Sequence, residues 1–342
     1  MRKICSKLHL WLAIPFGLFI TLVCLTGALL VFEDEISHAA HPELYYVSEV
    51  GTAPMSPKKL AAEVAATLPE DVTVTGVTVS DDPQKTWMVA LSKPHRAFVA
   101  VDPYTGEVLG RVERLPFFNT VVQLHRFLMN APAERGQLTV GKVLVGISVL
   151  LLVIILITGI VLWCPRQIGA WRSRLAISGK GGSRKFWTQL HHAGGMYAVI
   201  FILLMALTGL TWSFGWYRSA FYALFDHGTQ TEAVAVHSHG AEHPHGAGNP
   251  HRQGGGNPHY QGGEARGAEH YAHKAEALDL SSLPISHDTD RPTNTQGWVY
   301  WIHTGKWGGM ITKILYFLAC LIGASLPLTG YYLWWVRRQK KH

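Results

Sequence analysis

Four long apolar runs organise this chain: Leu10 to Phe32, Val140 to Cys164, Tyr197 to Phe214 and Ile311 to Val336. Each has about the length that crosses a hydrocarbon core of roughly 30 Å. The pattern predicts a membrane α-helical protein with a four-helix transmembrane bundle. The first run is longer than the apolar core of a secretory signal, so it reads as an anchor. Between the first two runs the period shortens. Ser56 as a cap and Pro57 at the first helical position predict a helix from Pro57 to Leu68. Val72 to Val79, Thr86 to Leu91 and Phe98 to Val101 predict strands, and Asp102-Pro103-Tyr104-Thr105-Gly106 a turn into Glu107 to Val112. This segment therefore predicts a compact α+β domain, with His95, Asp81 and Asp82 as solvated loop residues.

The chain divides into a first span at 1–32, the α+β domain at 33–114, a juxtamembrane segment and second span at 115–164, and a basic loop at 165–185. A third span at 186–214, an outer segment at 215–297, a juxtamembrane segment with the fourth span at 298–336 and a tail at 337–342 complete it.

Charge sets the expected orientation. Arg2, Lys3 and Lys7 precede span one; Arg166, Arg172, Arg174, Lys180, Arg184 and Lys185 join spans two and three; Arg337, Arg338, Lys340 and Lys341 close the chain. None of the three segments contains an acid, so the positive-inside rule puts them, and both termini, in the cytoplasm. The net charge of +7 is then a topology signal, and a nucleic-acid partner is excluded from the reading. The four cysteines lie in or beside the spans and offer the outer segments no disulfide framework.

Against this apolar background stand His9, His125, His191 and His303, each near the start of a run. Ionisable groups at such positions are functional hypotheses by default. Each span also carries one phrase at its far end: Leu25-Thr26-Gly27, Ile157-Thr158-Gly159, Leu207-Thr208-Gly209 and Leu328-Thr329-Gly330. His9 to Thr26 and His191 to Thr208 are both 17 positions, and Lys142 to Thr158 and Lys313 to Thr329 both 16. Spans one and two thus read as a hairpin duplicated, in parallel, as spans three and four.

Two level pairs follow, His9 with His191 at the cytoplasmic border and His125 with His303 at the outer one. Seventeen residues rise about 26 Å, which carries Gly27 and Gly209 from the inner pair to the depth of the outer pair. Gly159 and Gly330 reach the inner pair in the same way. Such glycines give a flat macrocycle room or let helices approach closely, and the threonine hydroxyl can bond back to its own helix. His192 competes with His191, but points about 100° away on a helix, and the 17-residue spacing favours His191. Paired imidazoles suit low-spin haem, so the expected cofactors are two haem b groups, each held by two histidines. Closed structural zinc wants four ligands at one place. Lys7, Arg184 and Lys185 inside, and Arg126, Arg135, Lys142, Lys306 and Lys313 outside, are bases for haem propionates or snorkelling anchors.

From His237 to His273 the second outer segment is rich in His, Gly, Ala, Asn and Pro. It cannot bury a core. It reads as a disordered loop in which His237, His239, His243 and His245 bind transition metal loosely, or as a solvated spacer.

Several phrases resemble the PepSY-associated transmembrane family, which includes bacterial siderophore-iron reductases. Leu8-His9-Leu10-Trp11-Leu12 resembles its first-span opening, and Asp102 to Val108 the strand-turn-strand signature of its PepSY domain. Leu124-His125-Arg126, Phe186 to His191 and Ile302-His303-Thr304-Gly305 resemble its later histidine motifs, and Leu162 to Arg166 and Leu333 to Arg337 its Trp-rich exits. Cys164 stands where the family usually has a second aromatic, and His192 where it usually has arginine. The resemblance implies a periplasmic PepSY-type domain on a di-haem oxidoreductase of the bacterial inner membrane. Its partners would be a cytoplasmic or membrane electron donor and an iron-siderophore complex in the periplasm. Trp298, Tyr300, Trp301 and Trp307, with Phe117 and Phe118, are either its docking face or an interfacial aromatic belt. Two rivals remain: a non-catalytic PepSY sensor or regulator of a periplasmic peptidase, and an accessory of metal transport.

Overall fold

A computed structural model describes residues 1–94, 97–133, 137–165, 171–225 and 282–339. The chain forms two compact units, one of Met1–Ser37, Arg114–Phe225 and Pro292–His342, the other of His38–Glu113 and Asp226–Arg291. In order, the elements are α1 (Arg2–Val31), α2 (Glu33–Ala40), α3 (Pro42–Tyr45), α4 (Pro57–Thr67), β1 (Val74–Val79), β2 (Trp87–Leu91), β3 (Ala97–Val101) and β4 (Val108–Val112). There follow α5 (Pro116–Phe127), α6 (Val140–Trp163), α7 (Trp171–Leu175), α8 (Gly182–Gln189), α9 (Gly195–Ser213), α10 (Gly215–Phe225), β5 (Ile285–His287), α11 (Thr295–Thr304) and α12 (Gly309–Gln339). A π-helical turn, Leu190–Gly194, joins α8 to α9, and a short 3-10 turn, Lys306–Gly308, precedes α12.

Among the described residues, four helical stretches of the first unit are long and apolar enough to cross a membrane: Arg2–Val31, Val140–Trp163, Gly182–Ser213 and Lys306–Gln339. A lipid-embedded backbone must satisfy its own polar groups, which helices do internally. Helix α1 packs on α6 and α12, and α9 on the same two, so α1 and α9 face each other across the bundle axis. Small residues let the helices close: Gly323 lies under Cys24 and Ile202, and Gly146 under Phe214. Pro15 and Pro327 lie inside α1 and α12, which continue through them. Close to them, Tyr331 donates its hydroxyl to the Ile14 carbonyl at 2.7 Å and Thr21 to the Ala324 carbonyl at 3.1 Å. The carbonyls ending α6 are held by Arg2 and Arg174, cations suited to a helix C-terminus.

Helix α2 opens on Glu33, Asp34 and Glu35, acids favoured by the N-terminal end of the dipole. Asp34 takes Lys306 at 2.6 Å and Glu35 takes Lys313 at 2.6 Å. Two bases expected beside haem propionates are thus already in ion pairs, because acids from the start of the chain reach them. Phe118, read from sequence as part of a docking face or an interfacial aromatic belt, fits neither, being fully buried, while its neighbour Phe117 is exposed.

The second unit is a five-stranded sheet of order β4-β3-β2-β1-β5, antiparallel except for β5, which runs parallel to β1. Helix α4, capped by Ser56, lays Leu60, Ala61, Val64 and Ala65 on Val77, Val89, Val99 and Val101. The Asp102 carboxylate accepts from the Tyr104 and Thr105 amides, and Gly106 closes this turn at φ +78°. The α+β fold of 33–114 is nevertheless incomplete by itself. Strand β5 comes from the second connection, beyond the His-rich stretch and in a part where the sequence predicts no strand, and Leu283 enters the core. Asp81 is exposed but bound, accepting from His287 Nδ1 at 2.8 Å and Thr289 Oγ1 at 2.6 Å. His95 and the His-rich stretch with His237, His239, His243 and His245 lie outside the described residues.

Candidate functional site: two imidazole pairs

Each of the four expected histidines lands against the Thr-Gly phrase of another helix. His9 Nδ1 lies 3.0 Å from the Ile155 carbonyl and 3.2 Å from Thr158 Oγ1. His125 Nδ1 meets the Val23 carbonyl at 3.0 Å and Thr26 Oγ1 at 3.0 Å. His303 Nδ1 meets the Met205 carbonyl at 3.0 Å and Thr208 Oγ1 at 3.1 Å. His191 Nδ1 lies 2.9 Å from Thr329 Oγ1. The threonine hydroxyls donate back to their own helices: Thr26 to Leu22, Thr158 to Ile154, Thr208 to Leu204 and Thr329 to Leu326. Their oxygens are then left to accept, and the donor is Nδ1–H. One tautomer satisfies all four sites, with Nε2 as the lone-pair nitrogen.

The glycine after each threonine makes the latch possible. A Cβ built on Gly209 would stand 3.1 Å from His303 Cε1, and one on Gly27 3.2 Å from His125 Cε1. On Gly159 it would stand 3.4 Å from His9 Cε1, and on Gly330 3.6 Å from His191 Cε1. The room left by the missing side chains is taken by imidazole edges.

These latches run within each pair of consecutive spans: α1 with α5 and α6, and α9 with α11 and α12. Across the bundle, the imidazoles meet. The His9 and His191 ring centres are 6.3 Å apart, and those of His125 and His303 are 6.4 Å apart. A metal–imidazole bond is about 2 Å and a ring nitrogen sits about 1 Å from its ring centre, so two imidazoles on opposite sides of one metal stand about 6 Å apart. Both pairs have that separation. Among the described residues, no three of His, Cys, Asp or Glu gather as a metal-ligand set. A metal held by either pair would therefore bring its other ligands with it. Burial holds the His125 and His303 imidazoles below the usual histidine range, with the repulsion of the neighbouring His125 adding to the effect on His303. Both are kept neutral, the form that ligates.

His191 sits in the π-helical turn, a feature frequent at functional sites. It is half-buried opposite His9, whereas His192 is exposed. Trp298, Tyr300 and Trp307 are exposed, with Lys306 over the Tyr300 ring at 5.4 Å. Two features had no place in the sequence reading. One is the carbonyl three residues before each threonine, which side-chain patterns do not reveal. The other is Trp212, whose ring centre lies 5.0 Å from that of His303. The sequence model of the PepSY-associated TM region matches residues 6–337.

The chain belongs to the PepSY-associated TM family.

Membership and the four long apolar helices make it a multi-pass membrane protein. In this member of the PepSY-associated TM family the match spans both imidazole pairs and all four Thr-Gly phrases. No curated protein matches it in sequence.

Proposed function

We propose that this protein is a di-haem oxidoreductase of the bacterial inner membrane, which moves electrons from the cytoplasmic side to a ferric siderophore in the periplasm. The observation that carries the reading is the pair of ring separations, 6.3 and 6.4 Å, between imidazoles that all spend Nδ1 on a latch. His9 and His191 would hold one haem b and His125 and His303 the other. Each haem would supply one-electron Fe(III)/Fe(II) chemistry.

The protein's own part is orientation and basicity. A carbonyl accepting from Nδ1–H fixes the ring plane and strengthens Nε2 as a ligand. The latches repeat between the two halves, which is the arrangement a duplicated hairpin gives. Basic segments orient the bundle with His9 and His191 toward the cytoplasm, and the sheet unit serves as the periplasmic PepSY-type domain. At the outer face the substrate is the chelated iron; its reduction releases metal because Fe(II) is held weakly by hard oxygen chelators.

The test is optical. Protein purified in detergent from cells supplied with porphyrin precursor should carry two low-spin haems per chain, and dithionite-reduced protein should reoxidise on addition of ferric siderophore. A colourless preparation refutes the reading and favours a non-catalytic regulator. A coloured protein that ferric siderophore does not oxidise refutes the acceptor alone.

A further inference from the structure

The four Thr-Gly phrases continue one turn further, and there one of them departs. The residue four positions after each threonine lies on the latch face of its helix. It is Leu30 after Thr26, Leu162 after Thr158 and Leu333 after Thr329, but Trp212 after Thr208. The structure puts the Trp212 ring against His303, centres 5.0 Å apart and planes at 70°. None of the other three imidazoles has an indole against it among the described residues.

The Trp212 ring packs on the flank of the His303 imidazole and would add apolar cover to a haem that His303 held. Tryptophan adds more cover than leucine, since an aromatic ring of this size buries about 150–250 Å². Apolar cover excludes water, and water stabilises the ferric form, which carries one more positive charge than the ferrous form. We propose that Trp212 sets the second pair apart from the first, making a haem held by His125 and His303 easier to reduce than one held by His9 and His191. The inference rests on the haem reading. It adds to that reading an outward bias in electron flow, built from one substitution in a fourfold pattern.

The test is a spectroelectrochemical titration of the haem-loaded full chain in detergent, for wild type, Trp212→Leu and Trp212→Phe. A variant lacking His125 and His303 assigns the components. Trp212→Leu should leave the low-spin bands in place and lower the reduced-to-oxidised ratio of the second component at fixed poise by about three- to tenfold. A tenfold change is about 59 mV for a one-electron couple. The first component should not move, and Trp212→Phe should keep most of the wild-type value. A Trp212→Leu titration identical to wild type overturns the proposal, as does an equal shift in both components. If Trp212→Leu loses haem, Leu30→Trp decides: a raised second component supports the proposal and an unchanged one overturns it. A colourless wild type overturns the haem reading and this inference with it, whereas a coloured wild type with an unmoved variant overturns this inference alone.

Discussion

Alanine at the four latch glycines should act in a graded order that the structure fixes in advance. A Cβ would meet the facing imidazole at 3.1 Å from Gly209, 3.2 Å from Gly27, 3.4 Å from Gly159 and 3.6 Å from Gly330. Ordinary carbon contacts lie at about 3.5–4.0 Å. Gly330→Ala therefore needs no adjustment, while Gly209→Ala pushes the His303 ring back by a few tenths of an ångström. Thr208 and the Met205 carbonyl hold Nδ1 on this same edge, so the displacement stretches the latch and strains the ligand. Overpacking of this kind costs about 1–3 kcal/mol. Two effects compete, because alanine also stabilises a helix interior by up to about 1 kcal/mol over glycine. At Gly330 the propensity gain stands alone and thermal stability should rise with haem binding unchanged. At Gly209 strain wins at the ligand, and haem affinity should fall roughly tenfold, about 1.4 kcal/mol. Haem titration of the four purified variants, read at the Soret band, gives the order. Equal losses at all four positions, or a larger loss for Gly330→Ala than for Gly209→Ala, would refute the latch.

Other outcomes follow from single contacts. Thr208→Val removes one of two acceptors for His303 Nδ1 and should weaken haem binding by about 1 kcal/mol, whereas Thr208→Ser should not. Glu35→Gln should destabilise the bundle by about 2 kcal/mol, more than Lys313→Met does. The first change leaves a lysine whose side chain is 9 % exposed with only Asp34, 3.6 Å away and already shared with Lys306, whereas the second leaves carboxylates 36 % and 45 % exposed; thermal unfolding in detergent compares them. Leu283→Ala should cost the sheet unit about 2–3 kcal/mol, measured by hydrogen exchange in β1, if the second connection completes that core. The His287–Asp81 clasp should hold best in mildly acidic solution. Hydrogen bonding to Asp81 raises His287 above its ordinary 6.5, so its contribution is full below 6.5 and lost as pH rises through the raised value. Hydrogen bonds from Thr289 and His287 lower Asp81 from 3.8, so its contribution is present above 3.8 and lost as pH falls through the lowered value. Exchange of the Asp288 amide, bonded to the Val79 carbonyl, should therefore be slowest, relative to His287→Asn, between those limits.

Much of this architecture is written in the order of residues. Spans show in sequence because each must be apolar throughout, and the equal spacing from His9 to Thr26 and from His191 to Thr208 foretells imidazoles at matching depths. The choice of His191 over His192 rested on that spacing, and the structure puts His191 opposite His9. What stayed hidden depends on backbone or distance. Thr-Gly was visible as a phrase, but its function as a socket for an imidazole needs the carbonyl of the turn before it, and every residue has a carbonyl. Strand β5 is three exposed residues with no alternation to detect, separated from its partner β1 by most of the chain. Lys306 and Lys313 read as propionate partners or snorkelling anchors because the acids that bind them, Asp34 and Glu35, lie far away in the sequence.

The most direct test of the central claim is haem stoichiometry by pyridine haemochrome, with reduced-minus-oxidised spectra, on three purified forms. These are wild type, a variant with His9 and His191 replaced by alanine, and one with His125 and His303 replaced. The account predicts two haems in the first and one in each of the others, with the two single-haem spectra summing to the wild type. A wild type without haem, or either double variant retaining both, would contradict it.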